Sequence, residues 1–191
     1  MGMYPVAQKY GSDGLSAARE FGAHYNLKAQ RFIATTGYVV CNVNAIVPIA
    51  LMQNPTGSGK WMLFDQSEFG SDVDVRFSRY GGGTAGSLGT ARPVGQTDGG
   101  SSATSVAKLY IGGSSGAQYA ITAAGTLRKV ATMKAYHTYQ LLNMAGKAIL
   151  RPGQQLYWDT EENPGGGGTY KVFIDFEWVE IDEAAASALV P

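Results

Sequence analysis

From Tyr170 to Trp178 large apolar residues recur at every second position. Tyr170, Val172, Ile174, Phe176 and Trp178 share one parity, while Lys171, Asp175 and Glu177 hold the other. A period of two puts successive side chains on opposite faces of a strand, so the pattern predicts a half-buried β-strand. Phe173 and Val179 interrupt its polar face. Related patterns predict strands over 38–43, 45–52, 60–66, 73–80, 102–111, 118–122, 126–133, 136–142 and 154–159, with the last strand over 170–181. In one of them Val73, Val75 and Phe77 alternate with Asp74, Arg76 and Ser78. Turn signals separate the strands, as at Asn54-Pro55-Thr56-Gly57-Ser58-Gly59, Gly81-Gly82-Gly83 and Arg151-Pro152-Gly153. Residues 136–146 also fit a helical stripe through Leu141, Leu142 and Ala145; the strand reading is preferred. About eight to ten short strands at this spacing predict an all-β fold, a jelly-roll-like β-sandwich.

Three segments stand apart. Residues 1–36 form an extended N-terminal arm, with a short helix possible after Ser12-Asp13-Gly14 through Leu15, Ala18 and Phe21. The arm is rich in aromatics without a core of its own, so it must dock on something; Tyr4, Tyr10, Phe21 and Tyr25 are the candidate partner-binding residues. The sandwich domain occupies 37–183, and 184–191 form an Ala-rich C-terminal tail. Within the sandwich, residues 81–101 hold eight glycines and few apolar anchors. A stretch this long predicts a surface excursion, mobile or held by a partner.

Composition narrows the function. A chain of 191 residues is long enough to bury a core without a disulfide or metal staple. Its 15 basic and 15 acidic residues balance, so no net field draws in nucleic acid or an anionic membrane. Only 16% of residues are charged, which suits a subunit that buries surface against neighbours. The longest apolar run, Ala45 to Met52, contains Pro48 and is too short to span a bilayer, and no signal peptide is expected. Cys41, the single cysteine, sits among apolar residues and reads as a small buried hydrophobe.

Candidate chemistry is thin. Asn54 to Lys60 looks like a phosphate-binding loop, but Asn54 replaces the first glycine and Trp61 follows the lysine where Ser or Thr would hold a metal. The Gly81–Gly86 run has no strand-turn-helix setting that would aim a helix at a pyrophosphate. His24 and His137 are far apart, and Asp72 with Asp74 reads as a solvated strand face rather than a calcium site. Asp159, Glu161, Glu162, Asp175 and Glu177 are the conceivable carboxylates for glycoside cleavage, and Trp158 beside Asp159 is a conceivable sugar platform, with Tyr80, Tyr110 and Tyr119 as further loop aromatics. No nucleophile elbow is present. The expectation is a non-enzymatic protein without metal or cofactor.

The order of the pieces carries a resemblance. An apolar strand runs into Asn54-Pro55-Thr56-Gly57-Ser58-Gly59-Lys60 and then Trp61-Met62-Leu63-Phe64. A Gly/Thr-rich excursion, Gly89-Thr90-Ala91-Arg92-Pro93-Val94, leads to Ala124-Gly125-Thr126-Leu127. Leu150-Arg151-Pro152-Gly153-Gln154-Gln155-Leu156 follows, and the succession ends at Phe176-Glu177-Trp178-Val179-Glu180-Ile181. Over residues 38–181 this resembles the small β-sandwich proteins that decorate or cement the capsids of tailed bacteriophages. The resemblance implies a virion structural protein at the capsid surface, made in the host cytoplasm. Its implied partners are the major capsid protein and further copies of itself, a homotrimer, and neither nucleic acid nor membrane. A carbohydrate- or receptor-binding sandwich of a phage tail or fibre is the alternative.

Overall fold

The computed structural model of the chain describes residues 30–43, 45–96, 102–114, 116–135, 140–143, 148–162 and 168–187. In chain order the strands are β1 (Arg31–Thr35), β2 (Val39–Asn42), β3 (Ile46–Gln53), β4 (Lys60–Ser71), β5 (Val75–Gly81), β6 (Thr84–Leu88) and β7 (Gly95–Gln96). They continue as β8 (Lys108–Ile111), β9 (Tyr119–Ala123), β10 (Thr126–Met133), β11 (Gln140–Asn143), β12 (Ile149–Leu150), β13 (Gln155–Glu162) and β14 (Thr169–Asp182), and a short helix, α1 (Glu183–Ser187), follows.

The strands form an all-β sandwich, as the alternation predicted. One sheet runs β11-β4-β14-β1-β7, with β12 also on β4 and β2 also on β14; the facing sheet runs β10-β5-β13-β3-β8. Counting β1 with β2 and β11 with β12 as broken single strands leaves a frame in which chain-early and chain-late strands pair alternately. β14 lies between β1/β2 and β4, and β13 lies between β3 and β5, all antiparallel. That interleaving of the two ends of the chain is the jelly-roll arrangement. The break between β1 and β2 is a corner at Gly37, whose φ is +60°, and Thr36 ties it down: its amide donates to Ile174 O at 2.9 Å and its Oγ1 accepts from Ile174 N at 2.8 Å.

β14 behaves as its pattern predicts on the inner face. Tyr170, Val172, Ile174, Phe176 and Trp178 are all buried in the main core with Phe64, Phe69, Met52, Leu109 and Trp158. The two apolar interruptions of its outer face have separate causes. The Phe173 ring lies over Gly70 of β4, where a Cβ would come within 2.0 Å of it. Val179, with Ile181, packs under α1, where Ala186, Trp61, Leu63 and Ile149 make a second small core on the outside of the sheet. The Ala-rich tail therefore does form one helical turn, supported by the sheet beneath it.

Three expectations are adjusted. β1 lies inside the 1–36 segment assigned to the arm, so the sandwich already begins at Arg31; residues 1–29 are outside the described residues. The described part of the excursion, residues 81–96, is built into the fold through β6 and β7. β7 extends one sheet through β1, β8 extends the other through β3, and β6 pairs with β9. The β6–β9 pair adds a third layer, its Ala85 and Ile121, with Tyr119, closing on Leu51, Tyr80, Tyr110 and Tyr157 of the five-stranded sheet. That layer also buries Ser78, which the two-sided pattern of 73–80 placed in solvent.

Candidate functional site

Trp158, the expected sugar platform, points into the core. It is 1% exposed and packs on Phe176 with ring centroids 4.7 Å apart, so it cannot stack on a ligand. Tyr119, on the inner side of the third layer, and Tyr110, beneath it, are both buried, and Tyr80 stacks on Tyr157 at 4.8 Å with nearly parallel rings. The expected binding residues Tyr4, Tyr10, Phe21 and Tyr25 lie outside the described residues.

The carboxylates named from sequence divide by environment. Glu177 and Asp65 both receive Arg31 on the outer face of the seven-stranded sheet. Beside them, burial and then the charges of Asp175 and Glu177 raise the Glu68 carboxyl. Asp72 Oδ1 accepts from Lys171 N and Asp74 Oδ1 from Ala135 N, each at 2.8 Å, so both cap backbone. Among the described residues no three His, Cys, Asp or Glu side chains are grouped to hold a metal ion. Cys41 is fully buried, and burial pushes its thiol up to about 12, which makes it the inert hydrophobe expected.

Among the described residues, Asp159 is the carboxylate shifted furthest from its ordinary value. β13 and β5 are in register as Tyr157 against Tyr80, Asp159 against Ser78 and Glu161 against Arg76, which aligns three rows on the outer face of the five-stranded sheet. Burial under the third layer pushes the Asp159 carboxyl up to about 6, while hydrogen bonds from Tyr80 and Ser78 and the Arg76 charge pull the other way. Arg76 is itself paired with Glu161. Tyr119 closes the cluster, its hydroxyl buried without a hydrogen-bond partner among the described residues and held well above the ordinary phenol range by burial and then Asp159. The site is covered, so it is a buried polar core rather than an open active site.

Sequence reasoning missed two features. Glu180 continues the inward parity of β14 and is 1% exposed; it accepts from Trp178 Nε1 and from Val106 N, each at 3.1 Å, and from Ser105 Oγ. These bonds pin the 102–107 segment to the sheet, and a glutamate two positions after Trp178 was the available signal. The second is an open groove of about 840 Å³ where the sheets splay apart. Gln53, Arg79, Gly81–Gly83, Gly125, Arg128 and Gln155 are among its lining residues, with β12 on the far side. Its residues come from five separated stretches of chain, so no local motif announces it.

The outer face of the seven-stranded sheet carries exposed apolar groups. Tyr38 is 75% exposed and meets the Phe173 ring edge-on at 5.7 Å; Val40 and Ile33 stand exposed on the same face. No helix among the described residues is long and apolar enough to cross a membrane. Comparison with protein families, curated proteins and solved structures finds no match.

Proposed function

We propose that this chain is a non-enzymatic structural protein of a virion, decorating or cementing a phage capsid by bridging neighbouring coat subunits. The observation that carries the reading is the outer sheet face bearing Tyr38, Val40, Ile33 and Phe173. Exposed apolar groups gathered on one sheet face, on a chain of low and balanced charge, favour cover by a neighbour. The coat protein supplies that cover in this reading, with copies of the chain itself grouped as a closed trimer. The interleaved jelly roll serves as the rigid body, and the aromatic arm with Tyr4, Tyr10, Phe21 and Tyr25 extends the contact. Such a protein is stabilised by the lattice it binds, through mass action.

The test is the copy number of this chain relative to the major coat protein in purified particles, by quantitative mass spectrometry. A ratio of about one, or a simple fraction such as about one third, supports the lattice role. A handful of copies moves the chain to the tail or neck, and absence removes the virion reading. Tyr38→Glu with Val40→Glu should release the protein from particles while leaving its melting temperature unchanged. The second reading, a carbohydrate- or receptor-binding head of a tail or fibre, is favoured by the polar groove at the end of the sandwich. Retention on a glycan array would support it.

A further inference from the structure

β10 is the outermost strand of its sheet, and among the described residues only β5 pairs with it. The opposite edge of that sheet is taken up. On β8, Leu109 O accepts from Arg92 N and Ile111 O from Gln118 N, each at 2.7 Å, and Ile111 N donates to Gln118 Oε1 at 3.0 Å. The edges of the facing sheet are short, with four residues in β11 and two in β7. β10 runs for eight residues, Thr126–Met133, and is the longest edge strand among the described residues. Alternate residues of an edge strand turn their N–H and C=O groups away from the sheet, so β10 presents a row of backbone donors and acceptors to a neighbour.

Its side chains are open to a neighbour as well. Thr126, Leu127, Arg128, Val130 and Thr132 are all exposed. The register shifts between Leu127 and Lys129, so Leu127 stands opposite Tyr80 and Val130 opposite Ser78. Tyr80 and Ser78 share the outer face of the sheet, and directly opposed residues lie on one face, so the shift brings both apolar groups to that face. Proteins blunt an exposed edge with proline, with shortness or with charge. β10 has no proline, and its charge is of one sign: residues 124–135 include Arg128, Lys129 and Lys134 and no Asp or Glu. Lys134 is paired with Asp74, while Arg128 is in no ion pair among the described residues.

We propose that β10 is a docking strand that takes an extended acidic segment of another protein as a further strand of the five-stranded sheet. Backbone hydrogen bonds supply the affinity, apolar side chains of the segment meet Leu127 and Val130, and its carboxylates meet Arg128. Charge decides the occupant. A second copy paired through β10 would gather Arg128 and Lys129 of both chains around one axis, and such like-charge juxtaposition opposes association. A segment bearing carboxylates turns the same cations into attraction. Tyr38 and Val40 lie on the other sheet, so the assignment stands whether the chain sits on a capsid lattice or on a tail.

The test is fluorescence anisotropy of the full chain, at low ionic strength, with a labelled, end-blocked peptide of alternating Val and Glu about as long as β10. That peptide should bind, and its counterpart with Lys in place of Glu should bind on the order of tenfold more weakly. Methylating every backbone nitrogen of the acidic peptide should abolish binding, because a strand without N–H groups cannot complete the ladder. Arg128→Glu should reverse the order of the two peptides; Arg128 is exposed, so the variant should melt with the wild type. Hydrogen exchange should show new protection over Thr126–Met133 when the acidic peptide is added. The proposal is overturned if the acidic peptide fails to bind at about 1 mM, if binding survives methylation, if Arg128→Glu leaves the order unchanged, or if protection appears elsewhere. Dimerisation of the chain alone with protection over β10, seen by analytical ultracentrifugation and hydrogen exchange, would give the edge to a second copy and overturn it too.

Discussion

Asp159 shows how one residue's environment is set by a layer distant in sequence. Its carboxyl rises from 3.8 to about 6 because the β6–β9 pair excludes water from it. The folded state therefore holds its proton more tightly than the unfolded state does. Between pH 4 and 6 the unfolded chain has lost that proton and the folded chain has not, so the contribution of Asp159 to stability falls as pH rises. Above about pH 6 the ionised group costs on the order of 3 kcal/mol relative to the protonated form. Asp159→Asn should flatten the stability difference between pH 4 and 7, with the variant no less stable than the wild type at pH 7. Urea denaturation at the two pH values measures it, and a variant much less stable at pH 7 would show that the ionised carboxylate is needed. Asp159 was visible in the sequence as a carboxylate beside a tryptophan. Its burial was not, because the residues that cover it lie about 40 to 75 positions earlier in the chain.

At the scale of the element, β14 and its neighbour β4 concentrate the packing. Phe176 and Trp178 are fully buried against Phe64 and Trp158, and replacing either by Ala should cost about 3–5 kcal/mol, read from the denaturant midpoint. A loss below about 1 kcal/mol would mean that the inward face of β14 is not the packed core described here. On the outer face, Gly70 is required by the ring of Phe173 rather than by its backbone. Gly70→Ala should destabilise by about 1–3 kcal/mol, and in a Phe173→Ala background the same change should be nearly neutral. A double-mutant cycle decides it: equal costs in both backgrounds would place the constraint in the backbone. Gly112 offers the contrast, since a Cβ there would meet Pro48 O at 1.9 Å, backbone that no side-chain change can move. Pro48 sits where β13 and β3 shift register between Trp158 and Asp159, a position that tolerates the missing amide of proline.

For the whole molecule, the division between sandwich and arm is the testable property. β1 enters the sheet at Arg31 and is held on one side by β14 and on the other by β7. Deleting residues 1–20 should therefore leave the circular dichroism spectrum and a single cooperative melt intact while weakening attachment to particles. Loss of folding in the truncated chain would make the arm part of the core. The insertion between β5 and β10 has the opposite character. It supplies edge strands to both sheets and a lid for a third cluster, so the body of the sandwich depends on it.

What the sequence determined by itself was the class of fold and the location of most strands, because a period of two is a local property of residues such as Tyr170 to Trp178. The turns at 54–59 and 151–153 were legible for the same reason: their Gly, Pro and Asn residues act through their own backbone preferences. The tertiary structure alone decided which faces are covered. Val179 and Phe173 break the alternation because α1 covers one and Gly70 accommodates the other. Ser78 is buried by a layer from the excursion, and Trp158 is turned inward by the register of β13. The open edge of β10 belongs to the same category. Leu127 and Val130 share a face only through their pairing with Tyr80 and Ser78 of β5, and such long-range register carries no local signature in the chain.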